Sequence, residues 1–89
     1  MMRYKVSLSD KARKALKRID RYQAEVIVAW LENNLQDCQN PRLHGSPLVG
    51  NMKGFWRYRV GQYRIIAEIR DSVITIEIIN IGHRREIYQ

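Results

Sequence analysis

Between Met2 and Leu8 the chain alternates, with Tyr4, Val6 and Leu8 apolar and Arg3, Lys5 and Ser7 polar. A period of two predicts a strand with one face buried. Ser9 is then placed to cap a helix. Ala12, Ala15, Leu16 and Ile19 recur at helical spacing while Lys11, Lys14, Lys17 and Arg18 cover the other side, so an amphipathic helix follows. Asp20 with Gln23 three residues on has the form of a capping box and opens a second helix. Its apolar positions Tyr22, Val26, Ile27, Trp30, Leu31 and Leu35 form a wide stripe. Two such helices in immediate succession fold back as a hairpin and bury their stripes on one face of a sheet.

From Asn33 to Gly54 the periodicity stops; Pro41, Pro47 and three glycines mark a long loop, of a length that is often functional. From Phe55 the period is two again. Phe55–Val60 and Gln62–Arg70 flank a Gly61-Gln62 pair that suits a two-residue type II′ hairpin turn. Val73–Ile81 follows Asp71-Ser72, read as a second two-residue turn, and Gly82 ends the last strand. The expected architecture is α+β: an N-terminal strand, a two-helix hairpin, then a three-stranded antiparallel meander with the helices on one sheet face. Residues 1–89 fit one domain. The neighbour of the first strand stays open, because a crossover through two helices permits more than one placement.

Turn positions fix register. The Gly61-Gln62 tip sets Val60 against Tyr63, Arg59 against Arg64, Tyr58 against Ile65 and Arg57 against Ile66. The Asp71-Ser72 tip sets Ile76 against Ala67, Ile78 against Ile65 and Ile79 against Arg64. The core face then carries Trp56, Tyr58, Val60, Tyr63, Ile65, Ala67, Ile69, Ile74, Ile76 and Ile78. The opposite face carries Arg57, Arg59, Arg64, Glu68 and Glu77, with Glu77 expected near Arg57. Two arginines directly opposed across strands destabilise a sheet by a few tenths of a kcal/mol or more, about what an opposite pair would contribute. Local frustration of this kind is expected where a site binds something, and guanidinium forks match phosphate oxygens. The alternative is a solvated basic face. The tail after Gly82 is expected beside the arginines; it brings His83, a possible proton carrier, and Arg84, Arg85 and Tyr88.

Composition agrees with a polyanionic partner. The chain has 16 Lys and Arg against 9 Asp and Glu, a formal charge of +7 on 89 residues. Nucleic acid is the commonest such partner, although an anionic membrane surface or an acidic protein would fit the same charge. No apolar run approaches the roughly 18 residues of a membrane span, so a transmembrane role is excluded. Cys38 is the single cysteine, in a polar stretch without local activation, and reads as an incidental thiol. With no signal-peptide pattern, it suggests a reducing cytoplasm. His44 and His83 lack spaced Cys, His or carboxylate partners, so neither a metal nor another cofactor is expected.

One long segment is more specific. Leu43-His44-Gly45 leads to Trp56-Arg57-Tyr58-Arg59-Val60-Gly61-Gln62-Tyr63-Arg64-Ile65-Ile66, and the chain closes with Ile79-Asn80-Ile81-Gly82-His83-Arg84-Arg85-Glu86-Ile87-Tyr88. A basic-x-basic pair, a turn, Tyr-Arg-aliphatic, Gly-His-Arg and a final Tyr, in that order, resemble the RelE/ParE superfamily of type II toxins. The resemblance covers nearly the whole chain and is weakest in the helices. It implies a ribosome-dependent endoribonuclease that cuts mRNA in the A site of the 70S ribosome, held in check by an acidic, RelB-like antitoxin. By position it implies that Arg64 contacts the scissile phosphate, Arg57 and Arg59 supply basic strand residues, Arg84 supports the leaving group and Tyr88 stacks on the nucleotide. His83 occupies a neighbouring position that is basic or His in many relatives. Lys11, Lys14, Lys53 and Arg85 complete the expected RNA-binding surface.

The implied chemistry is metal-independent attack of the substrate's own 2′-OH on the adjacent phosphate, with arginines holding the developing charge. RelE itself carries lysines where Arg57 and Arg59 stand. A guanidinium does not release its proton, so these two are expected to stabilise the phosphorane while His83, Tyr88 or a ribosomal group takes the proton. Two other readings accompany this one: a ParE-like inhibitor of DNA gyrase, and a non-catalytic RNA- or ribosome-binding module.

Overall fold

The computed structural model describes residues 2–83. Strand β1 (Lys5–Leu8) is followed by helices α1 (Asp10–Arg18) and α2 (Arg21–Asn34), then β2 (Ser46–Pro47), β3 (Trp56–Val60), β4 (Tyr63–Arg70) and β5 (Thr75–His83). The sheet order is β1-β5-β4-β3-β2; β1 runs parallel to β5 and the remaining neighbours are antiparallel. This settles the neighbour of the first strand. The helices cover one sheet face, and Ile27, Leu31 and Leu35 meet Tyr58, Ile65, Ala67, Ile76 and Ile78 in the core.

Local chemistry explains the helix starts. The Ser9 hydroxyl accepts from the Ala12 N–H at 3.0 Å and donates to the Ile79 carbonyl at 2.8 Å, so one residue caps α1 and ties it to β5. Asp10 in the first turn and Lys17 and Arg18 in the last complement the helix dipole. Asp20 caps α2 through the Gln23 N–H at 3.3 Å. The buried stripe of α2 is narrower than the sequence suggests: Tyr22 is 67% exposed and Val26 also faces outward. Beyond α2, Asp37 takes a left-handed φ of 66° and its N–H reaches the Tyr4 carbonyl, while the Tyr4 N–H reaches the Cys38 carbonyl, each at 2.8 Å. The Gln36 side chain accepts from Val6, and Lys5 pairs with Asp37, so the outer edge of β1 is covered.

The long loop holds more order than its composition suggests. Ser46 and Pro47 pair with Arg57 and Trp56, and a 3-10 turn spans Gly50–Met52. Proline is tolerated in β2 because this is the sheet's edge. The Tyr58 hydroxyl, inside the core, donates to the Pro41 carbonyl at 2.6 Å, and the Trp56 indole donates to the His44 carbonyl at 2.8 Å. These two bonds hang the loop on β3.

The first hairpin has the expected register throughout, from Val60 against Tyr63 to Arg57 against Ile66. Gly61 supplies the positive φ, 58°, that the first position of a type II′ turn requires. The second hairpin differs. Its connection is not the two-residue Asp71-Ser72 turn but a 3-10 turn over Asp71–Val73 with Ile74 left-handed at φ 50°. Ala67 therefore pairs with Ile78 and Ile69 with Ile76, not Ala67 with Ile76. A shift of two preserves the side-chain face, which is why Ile76 and Ile78 are still core residues.

A β-bulge then leaves Ile79 as an extra residue: Ile66 pairs with Asn80, Ile65 with Ile81 and Arg64 with Gly82, not Ile65 with Ile78 or Arg64 with Ile79. The odd residue reverses the alternation of β5. Ile81 enters the core at 3% exposure, and His83 turns to the helix side, where its ring meets Tyr63 edge-on at 5.8 Å.

The second connection is held by a polar cluster. Arg42 makes a bidentate pair with Asp71 at 3.1 and 2.9 Å, and the Tyr4 hydroxyl donates to the same carboxylate at 2.6 Å. The hydrogen bonds from Arg42, then from Tyr4, hold the Asp71 carboxyl below the usual carboxylate range. A depressed folded-state pKa contributes stability above the ordinary carboxylate value of about 4, and that stability is lost as pH falls through the lower folded value. The expected result is that wild-type protein loses more stability than Asp71→Asn on acidification below about pH 4. Denaturant midpoints measured across that range check it; parallel curves would show that Asp71 is not held this way.

Candidate nucleic-acid interface

Strand alternation brings Arg57, Arg59 and Arg64 together on the sheet face away from the helices. Their intervening neighbours Tyr58, Val60 and Ile65 are apolar and enter the core, which fixes the outward direction of the arginines. Arg59 and Arg64 are direct cross-strand partners, and Arg57 sits two residues along β3 from Arg59, opposite Ile66. Exposure is graded: Arg59 is open to solvent, Arg57 is half-buried and Arg64 retains 8% of its surface. The partner of Arg64 on β5 is Gly82, which raises no side chain above the sheet. Arg57 donates from Nη2 to the Ser46 hydroxyl at 2.8 Å, so β2 steers that guanidinium.

The two glutamates of this face are occupied elsewhere. Glu68 and Glu77 pair directly across β4 and β5, and Arg70 bridges them at 2.8 and 2.6 Å. Glu77 is thus held by Arg70 and not, as the sequence register implied, by Arg57. The same two-residue register shift is the cause.

Two concavities meet at Arg57. A groove of about 570 Å³ is lined by Arg57, Ile66, Ile79 and Asn80 together with Lys11 and the loop residues Pro47, Leu48, Val49, Asn51 and Met52. A second cavity, about 450 Å³ at the β3 edge, is lined by Trp30, His44, Gly45, Ser46, Arg57 and Arg59. Of the lysines expected around the site, Lys11 lines the groove; Lys14 and Lys53 are exposed and line neither space. His83, expected beside the arginines, is instead in a third space of about 580 Å³ between α1 and the end of β5, with Lys11, Arg18, Asp20 and Tyr63. The bulge at Ile79 is the reason. Arg84, Arg85 and Tyr88 lie outside the described residues.

Sequence reasoning did not select His44, Trp30, Ser46 or Asn80. A signal for the loop residues His44 and Ser46 is the Gly45 between them, where an added Cβ would lie 2.8 Å from the Trp56 indole nitrogen and 2.9 Å from a Tyr58 ring carbon, besides striking the Arg57 carbonyl. A glycine demanded by so close an approach marks the loop as seated on β3. Among the described residues no group of three or more His, Cys, Asp or Glu could hold a metal ion, and no helix is long and apolar enough to cross a membrane.

Residues 6–88 match the family described as the ParE toxin of the type II toxin–antitoxin system parDE. The chain belongs to this toxin family, within the RelE/ParE superfamily. The toxin is 30% identical over 86 residues to Toxin RelE of Mycobacterium tuberculosis, covering 97% of this chain and 87% of that one. It is 28% identical over 88 residues to Toxin RelG of the same organism, covering 99% of each. Among solved structures, the RelBE2 toxin–antitoxin complex of M. tuberculosis superposes with a TM-score of 0.84 at 27% identity over 94% of both chains. A mutant of Escherichia coli RelE in the free state gives 0.75 at 20% identity, over 96% of the toxin and 87% of that chain, a likeness of fold alone.

Proposed function

We propose that this toxin is a metal-independent endoribonuclease that enters the A site of the 70S ribosome and cuts mRNA, acting as one domain over residues 1–89. The observation that carries this reading is the convergence of Arg57, Arg59 and Arg64 on one open sheet face, with Arg59 and Arg64 directly opposed. Like charges so close cost free energy, and a phosphodiester drawn between them would offset it with charge-assisted hydrogen bonds. The names of the M. tuberculosis relatives support the RelE branch.

In this reading the 2′-oxygen bonds to the adjacent phosphorus as the bond from phosphorus to the 5′-oxygen breaks. The products are a 2′,3′-cyclic phosphate and a 5′-hydroxyl end. Arg64 grips the scissile phosphate, and Arg57 and Arg59 stabilise the charge that builds on its equatorial oxygens. By resemblance, Arg84 supports the leaving oxygen and Tyr88 stacks on the nucleotide, while Lys11, Lys14, Lys53 and Arg85 attract the RNA backbone. A RelB-like acidic antitoxin is the partner that keeps the toxin silent, and both act in the cytoplasm.

Purified toxin added to translating ribosomes tests the proposal. Mapping of RNA 5′ ends is expected to reveal discrete breaks within the A-site codon, carrying 5′-hydroxyls. Arrest of DNA gyrase with intact mRNA would overturn the proposal in favour of a gyrase inhibitor, and ribosome binding without breaks would make the toxin a non-catalytic binder.

A further inference from the structure

We propose that His44 is the general base that takes the proton from the attacking 2′-OH, an inference that rests on the ribonuclease reading. Arginine does not give up its proton under these conditions, so none of the three arginines can do this work. An imidazole is the side chain whose ordinary titration lies closest to neutral pH, and the described residues contain two, His44 and His83. His83 is carried by the bulge to the helix side of the sheet, against Tyr63. His44 shares the β3-edge cavity with Arg57 and Arg59.

The loop around His44 is built for fixed placement. The His44 carbonyl accepts from the Trp56 indole at 2.8 Å, and Gly45 packs so closely on β3 that a Cβ would collide with the Arg57 carbonyl. The His44 ring stands edge-on to Trp30, with ring centroids 5.7 Å apart and an interplanar angle of 72°. Trp30 itself leans on the buried Tyr58 at 5.5 Å. The ring therefore rests on a wall that continues into the core. Around the cavity, α2 contributes Trp30, β2 contributes the Ser46 hydroxyl, and β3 contributes the charged groups, Arg57 and Arg59. The two guanidiniums beside the imidazole hold the phosphate whose 2′-OH neighbour it must reach.

The proton balance is simple. Neutral His44 gains the 2′-OH proton as the bond from the 2′-oxygen to phosphorus forms. The departing 5′-oxygen takes a proton from water, and the imidazolium returns its own to solvent.

The test measures single-turnover cleavage of ribosome-bound mRNA against pH for wild type, His44→Gln and His44→Ala. Wild type is expected to cleave faster as pH rises; His44→Gln is expected to lower the rate by about a hundredfold or more, with ribosome binding unchanged, and to abolish that rise. Free imidazole is expected to restore part of the rate to His44→Ala, which a purely structural role for the ring would not allow. Wild-type rate and pH profile in His44→Gln, with breaks present, would overturn this proposal and leave the ribonuclease reading standing. Absence of breaks from wild type itself would overturn both.

Discussion

Replacing Arg64 by alanine is expected to abolish growth arrest and to lower the rate of mRNA cleavage by roughly a hundredfold to a thousandfold, the loss typical when one preorganised donor to a developing oxyanion is removed. Arg64 is the most buried of the three arginines, at 8% exposure, and lies between Arg59 on β3 and Gly82 on β5. A guanidinium held in such a place interacts with an anion more strongly than one in water, because less solvent screens it.

The fold should survive the change. Arg64→Ala removes one member of a like-charge cross-strand pair, which relieves repulsion of about 0.2 to 1 kcal/mol and offsets part of the packing lost with the aliphatic stem. Arg64→Lys keeps the charge but not the two-pronged geometry, and should retain only part of the activity. Arg59→Ala, at an exposed position, gives a comparison without any packing change. Growth arrest of wild-type strength in a folded Arg64→Ala protein would remove Arg64 from the phosphate contact.

The second large effect is expected at Gly45. Its φ of 78° strains any residue with a side chain, by about 1–2 kcal/mol. An alanine Cβ would also press on the Arg57 carbonyl, the Trp56 indole and the Tyr58 ring, all on β3. Forcing extra bulk into a packed site typically costs about 1–3 kcal/mol more. Gly45→Ala should therefore lower the melting temperature by roughly 15 °C, given about 4–8 °C per kcal/mol for a domain of this size.

Gly50 provides the control. Its φ is similar, 66°, but an added Cβ there meets nothing within 4 Å. Gly50→Ala should lose only the backbone part, about 1–2 kcal/mol. Equal shifts for the two variants would show that close approach at Gly45 contributes nothing. The same substitution should reduce cleavage, since Gly45 sits between His44 and the Ser46 that steers Arg57.

The first hairpin was fully legible because its turn is encoded locally. Gly61 accepts the positive φ at no cost, and the alternation on both sides then gives one register. This is why the arginine face could be drawn from the sequence alone. The second hairpin was not legible in the same way. Asp71-Ser72 has turn chemistry, but Arg42 and Tyr4 recruit the Asp71 carboxylate from distant parts of the chain and a 3-10 turn forms in its place. Register slipped by two, so the core positions were right while the pairings were wrong.

The bulge at Ile79 left only a local trace, the adjacent Ile78 and Ile79 that interrupt the alternation before Asn80. It is braced by the Ser9 hydroxyl, a residue 70 positions away. His83 was misplaced for that reason alone. His44 went unselected because a lone histidine in a loop has no periodicity to give it a direction.

By itself the sequence determined the α+β class, the apolar faces of its elements and the gathering of Arg57, Arg59 and Arg64, since these follow from periods and turn chemistry within a few residues. Only the tertiary structure decided that β1 lies parallel to β5, that Glu77 answers to Arg70, that His83 faces the helices and that His44 stands beside the arginines. Each of those depends on contacts between residues far apart in the chain, whose free energies no local pattern records.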